Sequence, residues 1–141
     1  MGKGEEVDLI FVYGTLRKGF PHPMAELLVS QAEYVGSATT PGKLYDLGPY
    51  PAAIFSEESP YRVKGDLFRI ADAKHLIPLL DEYEDYRPDD PENSLYKRVL
   101  IKAYCKEVVL VVWGYTYLSS PPSEGWIQAG DYLSHLQKTS P

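Results

Sequence analysis

Between Tyr13 and Gly19 the chain reads Tyr-Gly-Thr-Leu-Arg-Lys-Gly. A β-rich run enters at Gly14, and a helical pattern begins a few residues later. Glycine lets the backbone turn there with no Cβ in the way. Such a loop can aim the N–H groups of Gly14, Thr15 and Leu16 into one concavity, which suits a carboxylate or a developing oxyanion. Arg17 would add a charged clamp. The same residues also fit a strand-exit turn that holds no ligand. A second segment, Leu80-Asp81-Glu82-Tyr83-Glu84-Asp85-Tyr86, places four carboxylates where a helix should end. A helix C-terminus carries partial negative charge, so exposed acids there cost about 0.3–1 kcal/mol each. A local rule broken in this way points towards a site. Crowding and burial raise a carboxyl pKa, and one tuned towards neutrality suits a general base. The other reading is a solvated acidic turn. The acids do not have calcium-loop spacing and no histidine lies beside them, so no metal is expected.

Other residues carry weaker signals. Gly48-Pro49-Tyr50-Pro51-Ala52-Ala53 is a rigid turn or a pocket wall. Tyr96 and Arg98 start a strand just after the acidic segment, and the Tyr96 hydroxyl would hold a substrate or simply line a barrel. His22, His75 and His135 are scattered without a serine or cysteine partner. Cys105 stands at an expected hairpin end, outside any nucleophile motif.

These candidates need elements to position them. Residues 7–13 form a compact β-rich run, 61–70 and 95–104 alternate as strands, and 108–118 suits a strand buried on both faces. Cys105-Lys106-Glu107 reads as a tight hairpin connection. Residues 23–30 read as a short helix opening on Pro23. Asp72 is a plausible N-cap for a helix carrying Leu76, Ile77, Leu79, Leu80 and Tyr83, although Pro78 argues for a start near His75. Residues 130–138 suit a short terminal helix. Strands with a few short helices indicate an α+β domain built on a mixed, mainly antiparallel β-barrel.

The length, 141 residues, suits a single domain with its core over about 7–136. Such a chain buries roughly two-thirds of its unfolded surface and needs no disulfide. One cysteine excludes an internal disulfide and fits a reducing, cytoplasmic setting. The net charge of −6 argues against nucleic acid. The polar start and the short apolar run after it are expected to form neither leader nor membrane span, and Glu6 breaks the myristoylation pattern. The twelve tyrosines serve either a pocket or sheet packing.

Val12-Tyr13-Gly14-Thr15-Leu16-Arg17 followed by Leu80-Asp81-Glu82-Tyr83-Glu84 resembles the signature of the γ-glutamylcyclotransferase-like family. Gly42-Lys43-Leu44-Tyr45, Pro51-Ala52, Val63-Lys64-Gly65-Asp66-Leu67, Tyr96-Lys97-Arg98, Trp113-Gly114-Tyr115 and Gly130-Asp131-Tyr132 follow in the family's order, so the resemblance runs from residue 9 to about 133. It implies a mixed barrel with a pocket at one end. It also implies an enzyme that cyclises the γ-glutamyl group of a small amine or peptide to 5-oxoproline and releases the free amine. Glu84 would be the acid/base residue, and Tyr13, Gly14, Thr15, Leu16, Arg17 and Tyr96 would hold the substrate. No cofactor, metal, nucleic acid or membrane is implied, and the chain would act as a monomer or weak homodimer. The alternative is a non-catalytic binding or regulatory module of the same fold. Many relatives have Gly after the catalytic Glu. Here Asp85 stands there; its charge would raise the pKa of Glu84, or it marks a non-catalytic branch. Loops 56–59 and 87–94 are the expected specificity walls.

Overall fold

The computed structural model describes residues 7–139; residues 1–6, where the leader and lipidation readings sit, lie outside the described residues. Strand β1 (Leu9–Val12) is buried on both faces. Leu9 and Phe11 enter one apolar cluster with Leu67 and Val112, while Ile10 and Val12 enter another with Phe68, Leu76 and Leu80. This is the period-2 alternation of a strand between two cores. After it come α1 (Pro23–Gln31), β2 (Ala32–Asp46), β3 (Pro51–Phe55), β4 (Arg62–Ile70), α2 (Ala73–Tyr83), β5 (Tyr96–Cys105), β6 (Val108–Tyr117), β7 (Trp126–Ile127) and α3 (Tyr132–Thr139).

β1 pairs antiparallel with β4, from Leu9 opposite Arg69 to Val12 opposite Asp66, and parallel with β6 through Ile10 opposite Trp113. β5 and β6 form a hairpin from Tyr96 opposite Tyr117 to Cys105 opposite Val108. Its turn is Lys106-Glu107, with Lys106 left-handed at φ 57°, as short hairpin turns require. β2 pairs with β4 over its first ten residues and with β3 over its last five, with a bulge between Tyr34 and Gly36. Thr39 opposite Tyr104 joins β2 to β5 and closes the ring β2-β4-β1-β6-β5. The result is the expected mixed, mainly antiparallel barrel of the α+β class, with β3 and β7 added along β2 and three short helices outside.

Four sequence expectations change. β2, the longest strand, was not foreseen; Gly36, Pro41 and Gly42 all lie inside it. β6 is not buried on both faces: Val108, Val109 and Val111 are each more than half exposed, since the outer side of that hairpin meets solvent. α2 starts at Ala73 and keeps Pro78 inside. Pro78 forfeits a helical hydrogen bond at a cost of about 3 kcal/mol. Leu76, Ile77 and Leu80 are buried on the barrel side, and each contributes about 1.5–3 kcal/mol, which outweighs it. α3 begins at Tyr132, because Gly130 is held at φ 72° in the preceding turn. Among the described residues no helix is long and apolar enough to cross a membrane.

Candidate active site

The exit of β1, the start of α1, the turn before β3 and the end of α2 meet at one mouth of the barrel. They enclose a cavity of about 400 Å³ lined by Tyr13, Gly14, Thr15, Leu16, His22, Tyr50, Pro51, Tyr83, Glu84, Tyr96 and Tyr115, among others. Five of the twelve tyrosines are thus cavity residues. Of the residues proposed from sequence, the structure brings together Glu84, Tyr13, Gly14, Thr15, Leu16 and Tyr96, and leaves Arg17 outside.

Glu84 is placed by the way α2 ends. Its N–H donates to the Leu80 carbonyl at 2.9 Å, so it completes a turn over that buried residue. Asp85 then turns left-handed at φ 55°, its N–H donating to the Glu82 carbonyl at 3.1 Å and that of Tyr86 to the Asp81 carbonyl at 2.8 Å. This pair of bonds is a Schellman cap, with aspartate at the position glycine usually takes. The helix phase sends the four acids apart. Glu82 is exposed and Glu84 faces the cavity, part-buried. Asp81 is buried and accepts from Arg98 Nε at 2.9 Å, Arg98 Nη2 at 3.3 Å and the Tyr115 hydroxyl at 2.6 Å. Asp85 turns its carboxylate to Arg87 at 3.6 Å on the surface.

Burial raises the pKa of Glu84 to about 7, with the nearby Asp81 charge adding to the shift. The like charge that matters is therefore Asp81, not Asp85 as expected. Tyr13, Tyr96 and Tyr115 feel the Glu84 charge in turn: burial first, then neighbouring carboxylates, holds their hydroxyls well above the ordinary tyrosine range. Glu84 thus opens to the cavity in front and has neutral phenols and one fixed carboxylate around it. A group of this kind can both accept and return a proton near neutrality.

In the loop that lines the same cavity, no hydrogen bond among the described residues uses the N–H of Gly14, Thr15 or Leu16; only the Gly14 carbonyl is engaged, by the Arg17 N–H at 3.1 Å. Three amide donors of a cavity-lining loop therefore have no partner among the described residues, as an anion-binding loop requires. Gly14 is required by close approach, since a Cβ there would lie 2.6 Å from Pro51 Cγ. The Tyr13 hydroxyl donates to the Tyr115 carbonyl at 2.8 Å and accepts from the Ala53 N–H at 3.3 Å. That of Tyr96 donates to the Pro51 carbonyl at 2.6 Å. Both rings line the cavity while their polar tips brace its wall. Arg17 is no clamp: its Nε donates to Asp66 at 3.2 Å and its Nη1 to Asp131 at 3.0 Å, because two carboxylates from β4 and the turn before α3 already satisfy it. Loops 56–59 and 87–94 supply no lining residue; residues 49–51 do. Sequence reasoning passed over His22 and Tyr83. The signal for His22 was its place just before Pro23, where a helix N-cap belongs.

A family model described as gamma-glutamyl cyclotransferase, AIG2-like, matches residues 10–134. The chain belongs to this family. Over 59 residues, 42% of its length, it is 46% identical to a protein of Halalkalibacterium halodurans named "Putative gamma-glutamylcyclotransferase", and the match covers half of that protein. Its fold is similar to that of YkqA from Bacillus subtilis, with a TM-score of 0.69 at 22% identity over 94% of this chain and 43% of that one. It is also similar to an AIG2-like protein from Mus musculus, with a TM-score of 0.66 at 21% identity over 89% and 87% of the two chains. The chain therefore spans about half the length of the bacterial relative and less than half of YkqA. These structural likenesses bear on the AIG2-like fold. The family match takes in the loop at 13–16 and Glu84.

Proposed function

We propose that the protein is a γ-glutamylcyclotransferase acting on a small γ-glutamyl amine or peptide, with Glu84 as its acid/base. The observation that carries this reading is that one cavity is lined both by a carboxyl that burial raises to about 7 and by a loop with three amide donors unpartnered among the described residues. A γ-glutamyl substrate has matching parts: an α-carboxylate, an α-ammonium and a γ-amide. The amine nitrogen attacks the γ-carbonyl carbon, a C–N bond forms to close the five-membered lactam, and the C–N bond to the leaving amine breaks. Two protons leave the attacking nitrogen and two reach the leaving nitrogen, so the step needs no co-reactant. Glu84 carries them in turn. Holding the glutamyl chain folded supplies proximity that a separate nucleophile would lack. The loop amides stabilise the α-carboxylate or the tetrahedral oxyanion. A cytoplasmic setting accords with Cys105, which is free and buried.

The test is 5-oxoproline release from a panel of γ-glutamyl amines and dipeptides, followed by chromatography. Saturable release from at least one is expected. Saturable binding across the panel with no release would overturn the catalytic reading.

A further inference from the structure

His22 lies outside every role assigned so far, yet it lines the cavity and touches two elements at once. Its Nδ1 accepts the backbone N–H of Met24 at 3.0 Å, so the ring serves as the N-cap of α1. A backbone N–H can only donate. Nδ1 is therefore unprotonated, and the neutral ring carries its proton on Nε2. Nε2 lies 3.4 Å from the Tyr83 hydroxyl, with the two rings edge to face at 5.2 Å. The Tyr83 hydroxyl lies 2.6 Å from Thr15 Oγ1. Burial raises the pKa of the Tyr83 phenol, so it stays protonated and able to donate.

These bonds allow a chain directed from His22 to Thr15, and a phenol that accepts one bond is the better donor for the next. Nε2–H donates to the Tyr83 oxygen, the Tyr83 proton goes to Thr15 Oγ1, and the Thr15 proton is left for the cavity. The full reversal, with Tyr83 donating to Nε2, would need a proton on Nδ1, which the Met24 N–H excludes; the arrangement left to compete is Thr15 donating to a Tyr83 oxygen that also accepts from Nε2. We propose that His22 is a positioning residue: by capping α1 through Nδ1 it keeps Nε2–H on the Tyr83 oxygen, and so biases the His22–Tyr83–Thr15 chain towards the direction in which Thr15 offers a hydroxyl proton to a ligand's carboxylate. The loop at 14–16 then forms a donor wall, the Thr15 hydroxyl proton standing beside three amides that no bond among the described residues uses. It accepts an anionic acceptor and disfavours a ligand that brings a donor there. The inference deepens the γ-glutamyl reading and rests on it for the identity of that carboxylate.

Asparagine is an equally good or better N-cap, but its shorter side chain cannot span to Tyr83. His22→Asn therefore separates capping from the chain. Three readouts are needed. In the wild type, long-range proton–nitrogen spectra of ¹⁵N-histidine-labelled protein should show His22 as the Nε2–H tautomer; the Nδ1–H tautomer overturns the proposal. Titration with 5-oxoproline as the carboxylate probe should show affinity about fivefold to tenfold weaker in His22→Asn and in Tyr83→Phe, the size of one ordinary net hydrogen bond, since Thr15 keeps its hydroxyl and loses only its orientation. The double variant should be no weaker than either single one, because both act through Thr15. Melting temperature should be retained in His22→Asn. Unchanged affinity in His22→Asn, or losses that multiply in the double variant, overturns the chain. A wild type that binds 5-oxoproline with this pattern but releases none from any γ-glutamyl amine sinks the cyclotransferase reading and supports the donor wall. A wild type that does not bind the probe overturns the donor wall.

Discussion

A carboxyl with a pKa of about 7 is half ionised at neutrality, and this shapes what Glu84 should do in solution. Glu84→Gln keeps size and one carbonyl acceptor but cannot move a proton, so turnover should fall by about 10²–10⁴ with substrate affinity nearly intact. Glu82→Gln is the control, since Glu82 points to solvent. The reverse pattern in 5-oxoproline assays would falsify the assignment. The pH dependence follows from the same shift. The ionised form is the base, so kcat/KM should climb with pH and level off above about 7. Stability runs the other way. The folded state holds the Glu84 proton up to about 7 against a reference value of 4.5, so its stabilising share is full below about 4.5 and lost as pH rises through 7. Glu84→Gln should therefore be the more stable protein at pH 8, by roughly 1–3 kcal/mol, with a flatter melting profile between pH 5 and 8. Identical slopes for the two proteins would contradict this account. Glu84's inward direction was legible from its place one turn after Leu80. The committed hydroxyls of Tyr13 and Tyr96, and the turning away of Arg17, were not legible. Their partners are carbonyls and carboxylates from distant segments, and no local pattern announces those.

At the scale of elements, the end of α2 shows how a departure from the family pattern is absorbed. Asp85 occupies a left-handed position where many relatives have glycine. Aspartate tolerates that conformation better than most residues, at a cost below the 1–2 kcal/mol general for L side chains. The ion pair it makes with Arg87 is exposed and contributes little. Asp85→Gly should accordingly leave stability level or raise the melting temperature by a few degrees, and the acidic limb of the kcat/KM profile should stay in place, because Asp81 is the charged neighbour that tunes Glu84. A shift of that limb by more than half a pH unit would show Asp85 to be part of the tuning. Elements rich in valine, isoleucine and aromatics were legible to within about two residues at each end, β4, β5 and β6 among them. β2 was not, because what decides it is pairing with β4 and β3 along its whole length, and those partners lie far along the chain. Pro78 misled in the same way: exposed on α2, it is tolerated because the opposite face of that helix is buried.

The whole molecule adds a constraint that neither residues nor elements reveal. The barrel closes where Thr39 meets Tyr104, 65 positions apart by number, and no periodicity predicts that contact. The cavity loop is then tied to the closed barrel through Arg17, which joins the segment after β1 to Asp66 on β4 and Asp131 before α3. The Arg17 side chain is 13% exposed and that of Asp66 6%, so this junction is largely out of water. Removing one partner of such a junction leaves an uncompensated charge, at up to 3–5 kcal/mol for a fully buried pair and about half that with this exposure. Arg17→Met should lower the melting temperature by roughly 5–10 °C. It should also weaken substrate binding, because the loop at 14–16 loses its anchor. Asp66→Asn on top of Arg17→Met should recover part of the loss by removing the stranded charge. Arg69 supplies the contrast: its contacts to Asp8 and Glu33 are 3.6 and 3.5 Å with both partners more than half exposed, so Arg69→Met should change the melting temperature by no more than about 2 °C. Equal melting temperatures for the Arg17 and Arg69 variants would show that the junction is not what holds the loop to the barrel, and the open amides of residues 14–16 would then owe their position to Gly14 against Pro51 alone.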